Sequence, residues 1–510
     1  MSVAIEQTPP GVHAIINAGQ VSRPLNRQPS STAFLAGYAP WGPANTPITI
    51  SGWADYVRKF GGFNSNSYLD AAVHALFNLY GGKTAIISRA VGASAAVATL
   101  TLEDRAGTPV DTLRVDAKYP SSYFDDIKVQ VADGSVSNTV KLIFTSVKLQ
   151  ALGFLPETFD NFTIGATDIL EVNQKSKLVN LTNLASATTA PGNRPAVIAA
   201  TLLAGGSDDF AGVDAAKYVT ALGAFADINL GGGQVAVPGI SSSTVLAALK
   251  AHAELYQRLA IYDSTIGDDV SEILVKDYSA ARSAHAELCY PWIECLDFSG
   301  NGLKKFYPPS IFALGACARV DRTQGTQKAP ANIAALGAID VERNSNGTPM
   351  FNDNARTQLN EKQINVIAPI GTEGIKKYGG RLFYPTGETR VQFVHQRRVL
   401  NMLFYSLKLG LTWATFQTVD GTGKLFRDLK SSTENYLRSL YRAGMFYGAT
   451  EAEAFVVICD ESNNLPEDLD LGIVKIQVGV KISPTAERII VNIDNVPLSQ
   501  DLDVLNGGVN

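Results

Sequence analysis

Hydrophobic positions between residues 31 and 94 switch several times between extended and helical spacing. Apolar runs bounded by turn residues stand at 34–43, 48–50 and 84–91, and helical spacing predicts a short helix over 53–62 and a longer one over 67–82. The longer helix has an apolar face, a serine that can cap its start and a glycine suited to its end: Leu69, Val73, Leu76, Phe77 and Tyr80, with Ser67 and Gly81. This segment is therefore predicted to be compact and to mix helices with strands.

Residues 95–185 change to a period of two, which is typical of a half-buried antiparallel sheet. In DTLRVDAKY (111–119) the apolar residues face one way and the charged residues face the other. The runs at 127–134 and 138–147 repeat this alternation with turn residues between them. The pattern predicts a small β-rich module.

From residue 191 to about 329, predicted helices and strands alternate along the chain. The helices fall near 213–226, 244–257 and 268–287, and the strands near 234–239, 258–263 and 289–297. Alternation of this kind favours βαβ units and a largely parallel sheet.

The two ends of the chain differ from the middle. VHAIINA (12–18) is a single strand-like run among Pro9, Pro10 and Pro24, so residues 1–30 are predicted to be an extended arm. Near the other end, two amphipathic helices at about 390–410 and 423–443 precede a stretch at 454–494 that predicts three strands. A strand with no local partner needs a sheet elsewhere.

Composition excludes several classes of protein. The chain has 510 residues, 45% of them hydrophobic, and a net charge of -5, which argues against a general nucleic-acid binder. The longest apolar stretch, 399–416, is broken by Asn401, Lys408 and Gly410, so no membrane span is expected. The N-terminus lacks the features of a signal peptide, and the four cysteines show no C-x-x-C pairing, so a reduced protein made in the cytoplasm is expected.

Motifs for catalysis or cofactor binding are not found. GGKT (81–84) lacks the earlier glycine of a phosphate-binding loop and fits the end of a helix, while Gly231, Gly233 and Ala236 precede a strand where a dinucleotide site needs a helix. The five histidines are scattered and show no ligand spacing. We therefore expect no enzyme activity, no cofactor and no metal.

Positive charge is concentrated in residues 390–442. This segment holds nine basic residues against three acidic ones, a net charge of +6. The apolar face of its second helix accounts for burial and leaves Lys424, Arg427, Arg438 and Arg442 for solvent or for an acidic partner. A solvated basic face is the alternative.

Two stretches at opposite ends resemble the tail sheath proteins of contractile bacteriophages, R-type bacteriocins and extracellular contractile injection systems. The first comprises PGV (10–12), STAFLAGYAPWGPANTPITISGWADYVRKFGG (31–62) and GGKTAIISRAV; the second is AFVVICDESNNLPEDLDLGIVKIQVGVKISPTAERIIVNI, which starts at residue 454. Further landmarks lie between them: LAGGSDDF, VAVPGISSSTVLAAL, KAPAN and LNEKQINVIAPIGTEGIKKYGGRLF. In YGGRLF, where many relatives have Trp-Gly-Ala-Arg-Thr, Arg381 keeps the basic position.

The resemblance implies a multidomain α/β and α+β fold. Its predicted parts are an arm (1–30), an inner α+β domain formed by both chain ends (31–94 with 370–495), a β-rich insertion (95–190), an α/β insertion (191–369) and a C-terminal tail (496–510). The alternatives are an α/β enzyme or nucleotide-binding protein that uses 191–369, and another self-assembling shell protein.

The resemblance also implies a function: a structural subunit that polymerises helically around an inner tube and contracts to drive it through a cell envelope. The implied partners are further copies of the chain, the tube protein, and baseplate and terminator or cap proteins, without nucleic acid or membrane insertion. The subunit would assemble in the bacterial cytoplasm and then belong to a virion tail or released particle. The implied tube-facing residues are Arg397, Arg398, Lys424, Arg427, Arg438 and Arg442, and the implied intersubunit arm residues are Val12, Ala14, Ile15, Ile16, Ile489, Ile490, Val491 and Ile493.

Overall fold

The N-terminal part of the fold is built from three strands and two helices. A computed structural model describes residues 25–385, 387 and 390–491. The elements here are β1 (Ala33–Tyr38), β2 (Ile48–Ile50), α1 (Trp53–Phe60), α2 (Leu69–His74) and β3 (Ala85–Ala90). A π-helical turn over Ala75–Leu79 continues α2, and Gly81 follows with a φ of +68°. The longer predicted helix therefore starts and ends near the expected residues.

Residues 99–202 form two small antiparallel sheets around one core. The elements are β4 (Thr99–Glu103), β5 (Asp111–Ala117), β6 (Lys128–Asp133), β7 (Val140–Thr145), α3 (Val147–Gln150), β8 (Glu157–Phe162), α4 (Ala166–Lys175), β9 (Val179–Asn183) and β10 (Ile198–Leu202). Strand order is β4-β5-β9 in one sheet and β10-β6-β7-β8 in the other. β5 buries Leu113 and Val115 and exposes Arg114, as the alternation predicted.

The next part alternates helices with strands. Its elements are α5 (Ala215–Gly223), β11 (Gln234–Ala236), α6 (Ser243–Leu255), β12 (Leu259–Asp263), α7 (Val270–Val275), β13 (Ala286–Tyr290), β14 (Ile293–Leu296), β15 (Lys304–Tyr307), α8 (Pro309–Thr323), β16 (Ile333–Ala334), β17 (Ala338–Val341), α9 (Asp353–Glu361), β18 (Ile364–Pro369) and β19 (Ile375–Lys377). The helix predicted over 268–287 is limited to α7. A turn follows it, in which Ser279 N–H donates to the Asp277 carboxylate (2.9 Å).

A nine-stranded main sheet organises the molecule, in the order β16-β19-β18-β13-β12-β11-β1-β3-β2. The six strands from β18 to β3 are parallel. Helices α2 and α8 cover one face and α5 and α6 cover the other. Successive β1 residues therefore pack on opposite faces of the sheet: Leu35 lies in the core under α2 and α8, and Phe34 lies in the core under α5 and α6.

The pairing of β1 changes the predicted domain division. We expected 31–94 to share a domain with 370–495, but β1 pairs with β11 (Ala33 with Gln234 and Phe34 with Val235). Residues 31–94 thus share the main sheet with 191–369, and the described residues of 370–495 contribute only β19 to it. Parallel strands buried on both faces have similar apolar sequences, so nothing local identifies the partner of each strand.

The C-terminal unit packs helices against a sheet of two strands. Its elements are α10 (Val394–Gly410), α11 (Lys424–Arg442), α12 (Glu451–Ala454), β20 (Phe455–Ile458), α13 (Pro466–Asp470) and β21 (Gln477–Val480). Leu403, Leu437 and Val457 lie in its core. Of the three strands predicted over 454–494, two are present, and the described residues after β21 contain no further strand.

Arg89 joins the main sheet to the β-rich module. Its buried guanidinium donates to the carbonyl oxygens of Ala39 (2.8 Å), Gly42 (3.0 Å), Pro40 (3.1 Å) and Pro120 (2.9 Å). Beside it, Trp41 packs on Tyr123 and Phe124 of the module. The chain enters and leaves the module side by side, with Ala96 and Ser207 exchanging two hydrogen bonds of 2.8 Å.

Candidate assembly surfaces

The sheet of the C-terminal unit has room for further strands. β20 and β21 pair from Phe455 with Val480 to Ile458 with Gln477, and β20 packs on α11. Among the described residues no third strand joins these two. A free strand edge is a template for pairing with another chain.

The described part of the C-terminal arm carries exposed apolar side chains. Ile489, Ile490 and Val491 are 82%, 85% and 72% exposed, and no strand pairing is assigned to residues 484–491. Three consecutive large aliphatic residues this exposed indicate an interaction surface. The other predicted arm residues lie outside the described part of the chain: Val12, Ala14, Ile15, Ile16 and Ile493.

Helix α11 has one buried face and one charged face. Its buried positions follow helical spacing: Leu425, Phe426, Leu429, Ser432, Thr433, Tyr436, Leu437 and Leu440. Lys424, Arg427 and Arg442 are exposed and Arg438 is partly exposed. This helix therefore presents four of the six predicted tube-facing residues on the surface.

Some of these positive side chains already form ion pairs or hydrogen bonds with carboxylate or carbonyl oxygens of the same chain. Lys424 forms an ion pair with Asp428 (3.4 Å), and Arg427 donates to the carbonyl oxygen of Thr422 (2.6 Å). Arg438 donates to Glu451 (2.8 Å), and this hydrogen bond raises the pKa of Arg438. The surface is thus less basic than the sequence count suggested.

The two arginines of α10 do not share this surface. Arg398 is 1% exposed in its side chain and forms an ion pair with Asp321 of α8 (2.6 Å), so its prediction as a tube-facing residue is corrected. Arg397 is partly buried and its Nε donates to the carbonyl oxygen of Ala284 (2.7 Å). Both side chains attach α10 to the main-sheet part of the fold.

Side chains fill the place where a doubly wound sheet would hold a ligand. Such ligands bind beyond the carboxyl ends of the strands where the strand order reverses, which here is between β1 and β11. There the Tyr38 hydroxyl donates to Asp208 (2.9 Å) and its ring lies 4.8 Å from Phe210. Burial, followed by the hydrogen bond to Asp208, raises the pKa of Tyr38 to about 12. Gly239, just after β11, faces the ring of Tyr68.

Buried charged groups elsewhere have internal partners. Lys377 donates to Glu287 (2.8 Å), and both side chains are almost inaccessible to solvent. Asp263 accepts hydrogen bonds from Ser310 N–H (2.6 Å) and Oγ (2.7 Å), and burial raises its pKa to about 6. These groups stabilise the packing of strands and helices.

Neither a metal cluster nor a membrane span is found in the part of the chain that the structure describes. No group of three or more His, Cys, Asp or Glu side chains there is arranged to hold a metal ion. Within 25–385, 387 and 390–491, no helix has both the length and the apolar character needed to cross a bilayer. All four cysteines are buried free thiols.

Comparison with known proteins shows which proteins the whole chain is similar to. No family model matches the chain. It is 24% identical over 490 residues to the tail sheath protein of Burkholderia phage BcepMu, covering 92% of this chain and 93% of that protein. The resemblance to contractile tail sheath proteins is thereby confirmed.

Several solved structures have a fold similar to that of this chain. A sheath tail protein from Listeria innocua matches with a TM-score of 0.59 at 16% identity, covering 87% of this chain and 91% of the other. The contracted helical sheath of the anti-feeding prophage matches with a TM-score of 0.57 at 17% identity, covering 96% and 99%. The anti-feeding prophage baseplate matches with a TM-score of 0.54 at 18% identity, covering 96% and 99%.

Proposed function

We infer that this chain is the structural subunit of a contractile tail sheath and not an enzyme. The observation that carries this conclusion is the similarity to a tail sheath protein over 92% of the chain. The fold of contracted sheath subunits over nearly the whole length agrees with it. A nucleotide-binding function of the main sheet is not favoured, because Tyr38 and Phe210 fill the place where the strand order reverses.

Copies of the chain polymerise by exchanging strands. Two observations support this: no third strand among the described residues joins the sheet of β20 and β21, and the arm at 489–491 exposes aliphatic side chains. Pairing of this arm with the sheet of a neighbouring subunit would account for both observations. The backbone groups at the edge of the sheet would gain hydrogen bonds, and the aliphatic side chains of the arm would become buried. The N-terminal run at 12–18 is a second candidate strand by its sequence.

The inner tube docks on the charged face of α11. The surface we propose consists of Lys424, Arg427, Arg438 and Arg442, without Arg398, which is buried against Asp321. Exposed charges of this kind steer association with an acidic partner and weaken as salt is added.

The assembled particle has further components. We propose that the sheath binds a baseplate at one end and a terminator or cap at the other, and that subunits assemble in the bacterial cytoplasm before they enter a virion tail or released particle. The match to an anti-feeding prophage baseplate structure supports association with a baseplate.

Electron microscopy of the purified protein tests the assembly proposal. Tubes with a helical lattice are expected, whereas flat sheets or closed shells would contradict a sheath. A variant without residues 1–20 should remain a folded monomer that no longer polymerises. If the shortened protein forms normal long tubes, the N-terminal arm does not link subunits.

A further inference from the structure

The C-terminal arm is fixed to its own subunit at its first residue. Ser483 N–H donates to the carbonyl oxygen of Met445 (3.0 Å), and its Oγ donates to the carbonyl oxygen of Gly444 (3.0 Å). From α10, His395 Nε2 lies 3.2 Å from the Ser483 carbonyl oxygen. These contacts fix the position of Ser483. The direction of the arm is therefore set by the residues that follow Ser483.

Four residues later, Glu487 forms an ion pair with a residue from a distant part of the chain. Arg381 donates through Nε to one carboxylate oxygen (2.7 Å) and through Nη2 to the other. This two-point geometry fixes orientation as well as distance. It lowers the pKa of Glu487 and raises that of Arg381, so both groups stay charged at neutral pH.

Backbone and side-chain contacts fix the position of Arg381. Its backbone N–H donates to the Asn365 side chain (2.9 Å), its backbone bridges to Phe393 just before α10, and its guanidinium carbon lies 5.9 Å from the Phe393 ring. Asn365 belongs to β18 and is buried. Arg381 is therefore a rigid attachment point at the border between the main sheet and the C-terminal unit.

The residues immediately beyond this ion pair are the exposed ones. Arg488 separates Glu487 from Ile489, and the next three side chains are at least 72% exposed. In an extended chain Ile489 and Val491 face one side and Ile490 the other. Both sides of the arm are thus apolar from the point where it leaves the ion pair.

We propose that the Arg381–Glu487 ion pair is a latch that sets the direction in which the C-terminal arm leaves its subunit, so that Ile489, Ile490 and Val491 are presented to a second copy of the chain. This inference rests on the proposed strand exchange between sheath subunits. Arg381 is a positioning residue, since it acts on the arm through Glu487. Without the latch the arm samples more directions, and a smaller fraction of subunits is ready to pair.

The size of the effect follows from the exposure of the pair. The two side chains are 21% and 28% exposed, so solvent weakens their attraction. A pair of this kind changes an equilibrium by about fivefold at most. We therefore expect a measurable shift in assembly and no unfolding of the subunit.

The test measures the protein concentration at which full-length chains form polymers, by sedimentation and electron microscopy. The variants are Arg381→Glu, Glu487→Arg and the double exchange. Arg488→Gln is the matched control, because it removes the neighbouring arm charge and adds no carboxylate that could compete for Arg381. Each single variant should raise the required concentration by up to about fivefold, the double exchange should return it to within about twofold of wild type, and the control should change it little.

Two further measurements distinguish a latch from a general loss of subunit stability. The melting temperature of each monomer should match wild type within the effect of the control, and about 1 M salt should bring wild type close to the single variants by screening the pair. Single variants that polymerise like wild type, or a double exchange that does not recover, would overturn the latch. A chain ending at residue 488 tests the proposed function separately: if it polymerises normally, strand exchange by this arm is wrong.

Discussion

Replacing Lys377 by methionine should destabilise the subunit strongly. Lys377 donates to Glu287 (2.8 Å) and to the carbonyl oxygens of Pro330 and Gly379 (3.1 Å each). The lysine side chain is 1% exposed and the glutamate 0%. Although burial acts to lower the pKa of Lys377, Glu287 together with the neighbouring Cys289 and Cys317 raises it overall, so the ammonium stays charged.

The expected loss of stability comes from the Glu287 carboxylate, which stays buried after its positive partner is removed. Lys377→Met leaves the Glu287 carboxylate in the sheet without its positive partner, and breaking a buried pair in this way costs about 3–5 kcal/mol. The double variant Glu287→Gln with Lys377→Met leaves no buried charge and should lose less. Lys376 supplies a matched control, since its partner Glu373 is 66% exposed and stays solvated when the lysine is removed, so Lys376→Met should cost less than about 1 kcal/mol.

Guanidinium denaturation of the purified subunits measures these differences. Circular dichroism follows overall unfolding, and hydrogen exchange in β13 and β18 shows whether the main sheet is the part affected. A Lys377→Met subunit within about 1 kcal/mol of wild type would refute the reasoning. Equal losses for Lys376→Met and Lys377→Met would refute it as well.

Three further predictions concern the tube, contraction and pH. Arg438→Glu with Arg442→Glu should abolish assembly on the tube in a co-sedimentation assay, while Lys177→Glu on the β-rich module should not; unchanged tube-dependent assembly of the double variant would contradict the docking surface. Isolated extended particles should contract on mild heating or denaturant in nucleotide-free, metal-chelated buffer, because we infer that the energy for contraction is stored during assembly; a requirement for added ATP, or spontaneous return to the extended form, would contradict this. Burial, together with Arg398 and Lys328, lowers the pKa of His395 from 6.5 to about 4, so its contribution to stability is present above pH 6.5 and is lost as pH falls toward 4. Melting temperatures of His395→Gln should fall less steeply than wild type over this range, and identical slopes would contradict the assignment.

Local signals in the sequence were enough to predict much of the fold. The apolar stripes of α10 and α11, the alternation in β5 and the left-handed glycine after α2 each depend on neighbours a few residues away. Four of the six parallel strands, β1, β3, β11 and β12, were also predicted, those of the alternating part because alternation with helices identifies βαβ units. β13 begins inside the range predicted as a helix, and β18 was not predicted. The partners of the predicted strands were not predicted either, because β1 and β11 are about 200 residues apart in sequence and pair only in the folded chain.

Other elements were missed because their pattern is weak. Helix α8 is apolar on nearly all sides, from Ile311 to Val320, so it has no amphipathic period to detect. Conversely, spacing could have identified Arg398 as buried, because it lies three residues after His395 and four before Met402 on the stripe of α10 that faces the core. The role proposed for Glu487 depends on contact with Arg381 and has no sequence signal of its own.

The side-by-side entry and exit of the β-rich module bear on how sheath subunits can diversify. Because Ala96 and Ser207 are already hydrogen-bonded to each other, the chain between them can lengthen, shorten or be exchanged for another cassette without moving β3 or α5. The remainder would need to cover Trp41 and replace Pro120 as an acceptor for Arg89. We expect this junction to accept grafted domains, which would make the subunit a scaffold for displaying cargo along a polymer.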